Sequence, residues 1–209
     1  TNIIKITGVE KLKDVSYSIM PDRIEAGTLL CAVAITGGKV KLNKVIPEHI
    51  NQILNKLEQT GCEIKIENKC VCLKAPKKIK AVDIKTMPYP GFPTDMQSVF
   101  ASILTIAKGN SVIVENIFEN RYKYVSELKR MGAKITVEGR IAVIKGCKKL
   151  SGATVESTDL RGGASLVLAG LQAKGITRVN NIEYILRGYE NFDKKLNKLG
   201  ANIQIEEGE

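Results

Sequence analysis

The feature that most constrains the fold of this chain is a repeat, because one pattern recurs three times along its 209 residues. In each copy a small residue precedes an aliphatic residue by four positions, at Gly8 and Leu12, Ala75 and Ile79, and Gly146 and Leu150. An aspartate at the start of a predicted helix follows, at Asp22, Asp95 and Asp159. Self-similarity of this kind indicates supersecondary units that bury their apolar faces against one another.

The order of patterns within a copy predicts a β-α-β-α-β unit. The first helix ends before Gly37, Lys108 or Lys174 and the second before Gly61, Gly132 or Gly200, since glycine suits the left-handed C-cap. Strands are predicted after the first helices, at residues 39–42, 111–114 and 176–179, and after the second, at 63–66, 134–137 and 202–205. The alternating residues 4–6 begin the first copy. We place the copies at about residues 3–66, 71–139 and 142–207.

The first helices of copies one and three are apolar on nearly every side. Residues 29–35 and 166–171 are almost all aliphatic or small, which is typical of helices buried all round. Three such helices can pack in parallel at the centre with sheets outside them. The sequence therefore predicts an inside-out α/β barrel of three repeats, whose helix N-termini lie at one end and attract phosphate or carboxylate.

Two roles are open for the aspartates at these helix starts. Asp22, Asp95 and Asp159 can act as N-caps alone, which would explain an acidic residue at each position. The second copy suggests a role beyond capping for Asp95. Asp95 follows Ile79 by sixteen residues, whereas the corresponding spacings in the first and third copies are ten and nine. The additional residues belong to a loop over 87–94 with three prolines and a glycine. Prolines restrict the chain, so such a loop can hold Asp95 in place. The alternative interpretation is an ordinary surface loop.

Four arginines are predicted at or near helix starts, at Arg23, Arg121, Arg161 and Arg187. Helix dipoles favour cations at the opposite end, so this placement indicates an anion held between the arginines. The planar guanidinium group pairs two oxygens at once, which suits phosphate and carboxylate. Any single arginine can instead form a structural ion pair, and Arg23 beside Asp22 is the weakest candidate.

Composition argues against several classes of protein. The formal net charge of +10 invites a nucleic-acid interpretation, but the lysines are scattered, there is no Trp, and no aromatic motif interleaves the basic residues. The five cysteines form no C-x-x-C pair and the chain has one histidine, which indicates reduced thiols and no metal site. No apolar stretch is long enough to cross a membrane and no signal segment opens the chain, so we expect a cytoplasmic protein.

Five segments resemble signature segments of the UDP-N-acetylglucosamine 1-carboxyvinyltransferase family, a branch of the enolpyruvyl transferases. They are PDRIEAGT at residues 21–28, FPTDMQ at 92–97, FENR at 118–121, TDLR at 158–161 and RGYE at 187–190. Their order and spacing are those of the family, and they cover nearly the whole chain. The related shikimate-pathway enzymes share the repeat, but the PTDMQ and ENR segments are not expected in them.

The resemblance implies roles for individual residues. Asp95 contacts the sugar 3'-hydroxyl as its general base, and the backbone at Ile117 binds the N-acetylglucosamine moiety. Arg121, Arg161 and Arg187 hold phosphoenolpyruvate, and Arg187 also counts among the catalytic residues. The implied substrates are UDP-N-acetylglucosamine and phosphoenolpyruvate, in the first committed step of peptidoglycan synthesis, and neither a cofactor nor a metal is expected.

The family's enzyme has two domains of three repeats each, and one set is present here. We therefore expect this chain, which begins at Thr1 without a methionine, to be a cut C-terminal domain that is inactive alone. The partner N-terminal domain, its reactive cysteine and a short segment that completes this domain's sheet would lie outside it. The alternatives are a non-catalytic binding module of the same fold and a nucleic-acid-binding domain.

Overall fold

The helices and strands of residues 3–206 are described by a computed structural model. The helices are α1 (Arg23–Thr36), α2 (Asn51–Gln59), α3 (Gln97–Leu104), α4 (Tyr124–Arg130), α5 (Leu160–Gln172), α6 (Glu183–Leu186) and α7 (Phe192–Lys198). The strands are β1 (Lys39–Asn43), β2 (Glu63–Glu67), β3 (Cys70–Lys74), β4 (Ile84–Lys85), β5 (Asn110–Val114), β6 (Lys134–Glu138), β7 (Ile141–Lys145), β8 (Thr154–Glu156) and β9 (Arg178–Asn180). Short 3-10 turns at Pro47–Ile50 and Thr94–Met96 precede α2 and α3. In this part of the chain, no helix has the length and apolarity to span a bilayer.

Helices α1, α3 and α5 pack against one another at the centre of the molecule. Every residue of α3 is buried, and so are most residues of α1. Small residues let the helices approach closely, since a Cβ added to Gly27 of α1 would lie 3.0 Å from the side chain of Met96 beside α3. Residues 30–35 of α1 are buried as predicted, whereas Val167, Gly170 and Leu171 of α5 are half-buried. The central position of the three helices confirms the inside-out arrangement.

Three sheets lie outside the central helices. Their strand orders are β1-β3-β2, β4-β5-β7-β6 and β8-β9. Strands β3 and β7 pair antiparallel with both of their neighbours, whereas β4 with β5 and β8 with β9 are parallel pairs. Buried residues alternate with exposed ones along β7, so one face of the second sheet covers the core and the other faces solvent.

Two of the three aspartates at predicted helix starts are N-caps. Asp22 accepts two backbone N–H bonds at 2.7 and 3.2 Å, and Asp159 accepts two at 3.0 and 2.8 Å. Asp95 instead lies inside the 3-10 turn before α3, and its side chain caps no helix. The capping interpretation is therefore wrong for Asp95, because arginine side chains bind its carboxylate.

Two predicted strands are not formed. Residues 3–22 contain no helix or strand and are exposed, and residues 201–206 also lie outside any strand. A strand is stabilised only when a neighbour pairs with its backbone N–H and C=O groups. No paired neighbour lies beside either segment within residues 3–206, so the third sheet has two strands where the second has four.

We expect Gly146→Ala to destabilise the chain and Gly8→Ala, at the matching position of the first copy, to leave its stability nearly unchanged. A Cβ on Gly146 would lie 1.7 Å from the backbone oxygen of Ala107, whereas nothing lies within 4 Å of a Cβ on Gly8. Forced repacking of this kind costs ~1–3 kcal/mol. Urea unfolding of both variants measures the difference, and equal midpoints would contradict the close contact.

Candidate active site

A carboxylate held by two arginines lies where the starts of the central helices meet. Asp95 Oδ1 accepts a hydrogen bond from Arg121 Nη2 at 2.9 Å. Asp95 Oδ2 accepts from Arg161 Nη2 at 3.1 Å and from Arg161 Nε at 3.3 Å. Because Asp95 lies two residues before α3 and Arg161 is the second residue of α5, this contact joins the starts of the two helices. The structure thus brings together three of the residues that the sequence singled out.

The two arginines are more deeply buried than the carboxylate that they hold. The exposed fractions of the Arg161 and Arg121 side chains are 12% and 15%, against 38% for Asp95. Within residues 3–206, Arg121 Nε and Arg161 Nη1 are buried and donate to no acceptor. Two guanidinium groups around one carboxylate leave a net positive charge and unused donors, an arrangement that suits an anion with several oxygens.

Tyr189 connects this cluster to the start of α1. Its ring lies under the Arg161 guanidinium at 5.2 Å, and its hydroxyl is 2.9 Å from Thr28 Oγ1 in the second turn of α1. Burial by itself lowers the pKa of Arg161, but Tyr189 and Asp95 outweigh that effect and the pKa is raised overall. Burial also raises the pKa of Tyr189, against the opposing effect of Arg161. Arg161 therefore stays charged and Tyr189 stays a neutral phenol near neutral pH.

The proline-rich loop before Asp95 is anchored at both ends. The Met87 N–H donates to the Phe92 carbonyl oxygen at 3.0 Å, which closes the loop. Phe92 is buried, and its ring meets that of Phe100 in α3 edge to face at 5.5 Å. These contacts favour a loop that holds Asp95 in place over an ordinary surface loop.

A buried glutamate ties this loop to the turn that carries Ile117. Glu115, which is 1% exposed, accepts hydrogen bonds from the hydroxyls of Thr86 at 2.8 Å and Thr94 at 2.9 Å. It also accepts from the backbone N–H groups of Ile117 at 2.9 Å and Phe118 at 3.1 Å. Since the Ile117 N–H is already bound, the backbone group that Ile117 can offer to a ligand is its carbonyl oxygen.

The turn after Ile117 presents Arg121 to Asp95. Asn120 adopts a φ of 53°, in the left-handed region that asparagine tolerates better than most residues. The ring of Phe118 then lies 5.0 Å from the Arg121 guanidinium carbon. The Phe118 ring therefore supports one face of the Arg121 guanidinium group, while Arg121 Nη2 donates to the Asp95 carboxylate.

The other two arginines do not join the cluster. Arg23 is the first residue of α1, as predicted. Arg187 was expected near a helix start, and that expectation is wrong because it directly follows the last residue of α6. It is exposed, and its guanidinium lies 5.9 Å from the centre of the Tyr184 ring rather than against Asp95. A cation at that end of a helix needs no anion to explain it.

Two of the five cysteines, Cys31 and Cys62, are buried and unsuited to nucleophilic chemistry. All five are free thiols. Burial raises the pKa of Cys31 and of Cys62, so both stay protonated and unreactive near neutral pH. Between residues 3 and 206, no group of three or more His, Cys, Asp or Glu residues is arranged to hold a metal ion.

Comparison with known sequences gives a consistent result. The sequence model of the family EPSP synthase (3-phosphoshikimate 1-carboxyvinyltransferase) matches residues 1–196. A UDP-N-acetylglucosamine 1-carboxyvinyltransferase of Desulfofundulus thermocisternus is 54% identical over 204 residues, which cover 97% of this chain and 84% of that protein. The enzyme of that name from Trichlorobacter lovleyi is 55% identical over 204 residues, 98% of this chain and 49% of its own length. The chain thus spans about half the length of many of the curated relatives that it matches.

Solved structures show the same architecture. The enolpyruvyl transferase NikO from Streptomyces tendae superimposes with a TM-score of 0.76 at 26% identity, covering 89% of this chain and 44% of its own. An EPSP synthase from Acinetobacter baumannii also gives 0.76, at 20% identity and over 90% of this chain and 48% of its own, which supports the fold alone. The chain therefore belongs to the enolpyruvyl transferase family, in the branch of the UDP-N-acetylglucosamine 1-carboxyvinyltransferases.

Proposed function

We propose that this chain is the C-terminal half of an enzyme that transfers enolpyruvyl from phosphoenolpyruvate to the 3'-hydroxyl of UDP-N-acetylglucosamine in the cytoplasm. The observation that carries the proposal is the Asp95 carboxylate held between Arg121 and Arg161 at the helix starts. It places a proton acceptor beside unused guanidinium donors. The reaction needs this combination, because a neutral hydroxyl must lose a proton next to a bound anion.

In the proposed reaction the sugar oxygen adds to C2 of phosphoenolpyruvate while C3 takes up a proton. Phosphate then leaves C2, C3 loses a proton, and the double bond forms again. Asp95 accepts the hydroxyl proton as the new bond to C2 forms, since an ordinary carboxylate is too weak a base to remove it beforehand. The group that protonates C3 comes from the other half of the enzyme.

The arginines have two tasks in this proposal. Without substrate, Arg121 and Arg161 neutralise Asp95 and fix its orientation. When phosphoenolpyruvate binds, its phosphate and carboxylate oxygens compete with the Asp95 carboxylate for the guanidinium donors of Arg121 and Arg161. As its ion pairs weaken, the Asp95 carboxylate becomes a better acceptor for the sugar hydroxyl. Anion binding would thereby activate the base.

Two further residues have roles in this proposal, Ile117 and Arg187. The backbone carbonyl of Ile117, on the turn tied to the proline loop by Glu115, is proposed to bind the N-acetylglucosamine moiety. Arg187 is exposed beside Tyr184 and two residues from Tyr189. We propose that it reaches phosphoenolpyruvate only when the two halves close over the substrates. A closing arginine of this type would act in the transition state more than in first binding.

We expect this chain alone to release no phosphate from phosphoenolpyruvate and nucleotide sugar, because the transition state must be surrounded by groups from both halves. A phosphate-release assay with purified chain, with and without the complementary half, measures this. Turnover should require the second half. Robust turnover by the single chain would contradict the proposal that the reaction needs groups from both halves of the enzyme.

The isolated chain should nevertheless bind phosphate weakly at the Asp95 cluster, because two guanidinium groups surround one carboxylate there and the Asp95 side chain is 38% exposed. Adding phosphate should move the guanidinium NMR signals of Arg121 and Arg161, and added salt should reverse the effect by screening. Arg178, paired with Glu206 at 3.1 Å, serves as the remote control. Larger movements at Arg178 than at the cluster would show that the anion site lies elsewhere.

In the two-half enzyme, Asp95→Asn should lower kcat by a factor on the order of 10²–10⁴ per folded molecule and also lower the melting temperature, because Arg121 and Arg161 lose their charged partner. The amide is nearly the same size as the carboxylate, but it cannot accept the hydroxyl proton. Steady-state kinetics and thermal unfolding check both statements.

Asp83→Asn is the matched control for this variant. The Asp83 carboxylate accepts a backbone N–H bond from Val112 at 2.8 Å on an exposed part of the second sheet, and an amide oxygen can do the same. This control should keep normal kinetics. If Asp95→Asn were equally active, Asp95 would be a structural residue, and the non-catalytic binding module would be the better account.

A further inference from the structure

We propose that Glu115 is a positioning residue that sets the distance between the base Asp95 and the sugar-binding turn at Ile117. The inference rests on the function proposed above and concerns a residue that has no part in the chemistry itself. Glu115 follows the last residue of β5 and is 1% exposed. A carboxylate so deeply buried is costly unless hydrogen bonds compensate its charge.

Four hydrogen-bond donors compensate the charge of Glu115. Two lie at the ends of the proline-rich loop and two lie in the turn at Ile117. Oε1 accepts from Thr86 Oγ1 at 2.8 Å, from the Ile117 N–H at 2.9 Å and from the Phe118 N–H at 3.1 Å. Oε2 accepts from Thr94 Oγ1 at 2.9 Å. None of these donors carries a charge, so the negative charge of Glu115 is spread over neutral groups that it holds in place.

The two threonines stand at opposite ends of the proline-rich loop. Thr86 lies just before the loop, and Thr94 lies at its end, directly before Asp95. One carboxylate therefore pins both ends of the loop to the end of β5. The Thr86 hydroxyl oxygen in turn accepts a hydrogen bond from the Asn116 N–H at 2.8 Å, which is a second link between the start of the loop and the residues that follow β5.

The two backbone donors belong to the turn that leads to Arg121. Through Glu115, the turn and the loop share a single anchor, and Asp95 is placed relative to both Ile117 and Arg121. A misplacement of about 1 Å can reduce a rate by about 10²-fold when reacting groups are held by the protein. The geometry points to Glu115 as the group that prevents such a displacement.

Two substitutions separate positioning from general stability. In Glu115→Gln the oxygen can still accept from the backbone N–H groups, but the amide nitrogen faces the Thr94 hydroxyl, which must turn round and loses its charged acceptor. Thr94→Val removes the same link from the other side at nearly constant volume. Thr94→Ser retains the hydroxyl and is expected to restore the normal behaviour, and Glu138→Gln, at the exposed end of β6, is the matched control.

The test has two readouts. In the chain alone, the guanidinium NMR signals of Arg121 and Arg161 report their pairing with Asp95. In the two-half enzyme, kcat and KM for UDP-N-acetylglucosamine report the placement of the base and the sugar. Glu115→Gln and Thr94→Val should shift both arginine signals, lower kcat on the order of 10²-fold and raise KM for the sugar, per folded molecule. Glu138→Gln and Thr94→Ser should match the unaltered protein in both readouts.

Unchanged arginine signals and kinetics in both Glu115→Gln and Thr94→Val would overturn the inference, and so would a lowered melting temperature with normal kcat and KM. If Glu115→Gln fails to fold, Thr94→Val decides the question by the same criteria. Failure of the proposed function has a different signature. The unaltered chain would then show no turnover even with its complementary half, while the arginine signals would still shift in the variants.

Discussion

Burial of three apolar helices against one another is the constraint on which the other features of this protein depend. Helices α1, α3 and α5 have too little polar surface to face solvent, so the sheets must lie outside them. Their mutual packing brings the residues at their starts to one end of the molecule. Asp95, Arg161 and, through Tyr189, Thr28 meet there because the helices that carry them are neighbours. The candidate site is thus a consequence of how the core is built.

The site combines burial and charge in a way that suits reversible anion binding. Arg121 and Arg161 are buried enough for their interaction with Asp95 to be strong, yet Asp95 keeps access to solvent. The aromatic rings beneath the two guanidinium groups support them on their other faces. In the proposed function, a bound anion changes the partners of Asp95 while the arginines stay on the rings of Phe118 and Tyr189.

Sequence patterns predicted what depends on neighbouring residues and missed what depends on distant ones. The caps at Asp22 and Asp159 and the central burial of the helices follow from local spacing and composition. Capping was one of two roles left open for Asp95, and it is wrong because the partners of this carboxylate are 26 and 66 residues away. The resemblance grouped Asp95 with its arginines, but no pattern showed that they pair directly. No role was assigned to Glu115 or Tyr189 from the sequence. For Glu115 a signal was present, because an acidic residue directly after an apolar strand often lies at a functional site.

The strands expected at residues 4–6 and 202–205 are not formed, for another reason. An alternating pattern of apolar residues predicts which face of a strand is buried, but a strand also needs a neighbour that pairs with its backbone. The repeat bounds at about 3–66, 71–139 and 142–207 remain a proposal, and residue 207 lies outside the described part of the chain.

If Asp95 and Arg161 act as one unit in the proposed reaction, the effects of replacing them are coupled, and a double-mutant cycle measures that coupling. In the two-half enzyme, kcat/KM for phosphoenolpyruvate is measured for Asp95→Asn, for Arg161→Met and for the double variant. Groups in direct contact typically show coupling of about 0.5–3 kcal/mol. We expect the loss in the double variant to be at least about tenfold smaller than the product of the single losses, which corresponds to a coupling of about 1.4 kcal/mol. Losses that simply multiply would show that Asp95 and Arg161 act independently of each other.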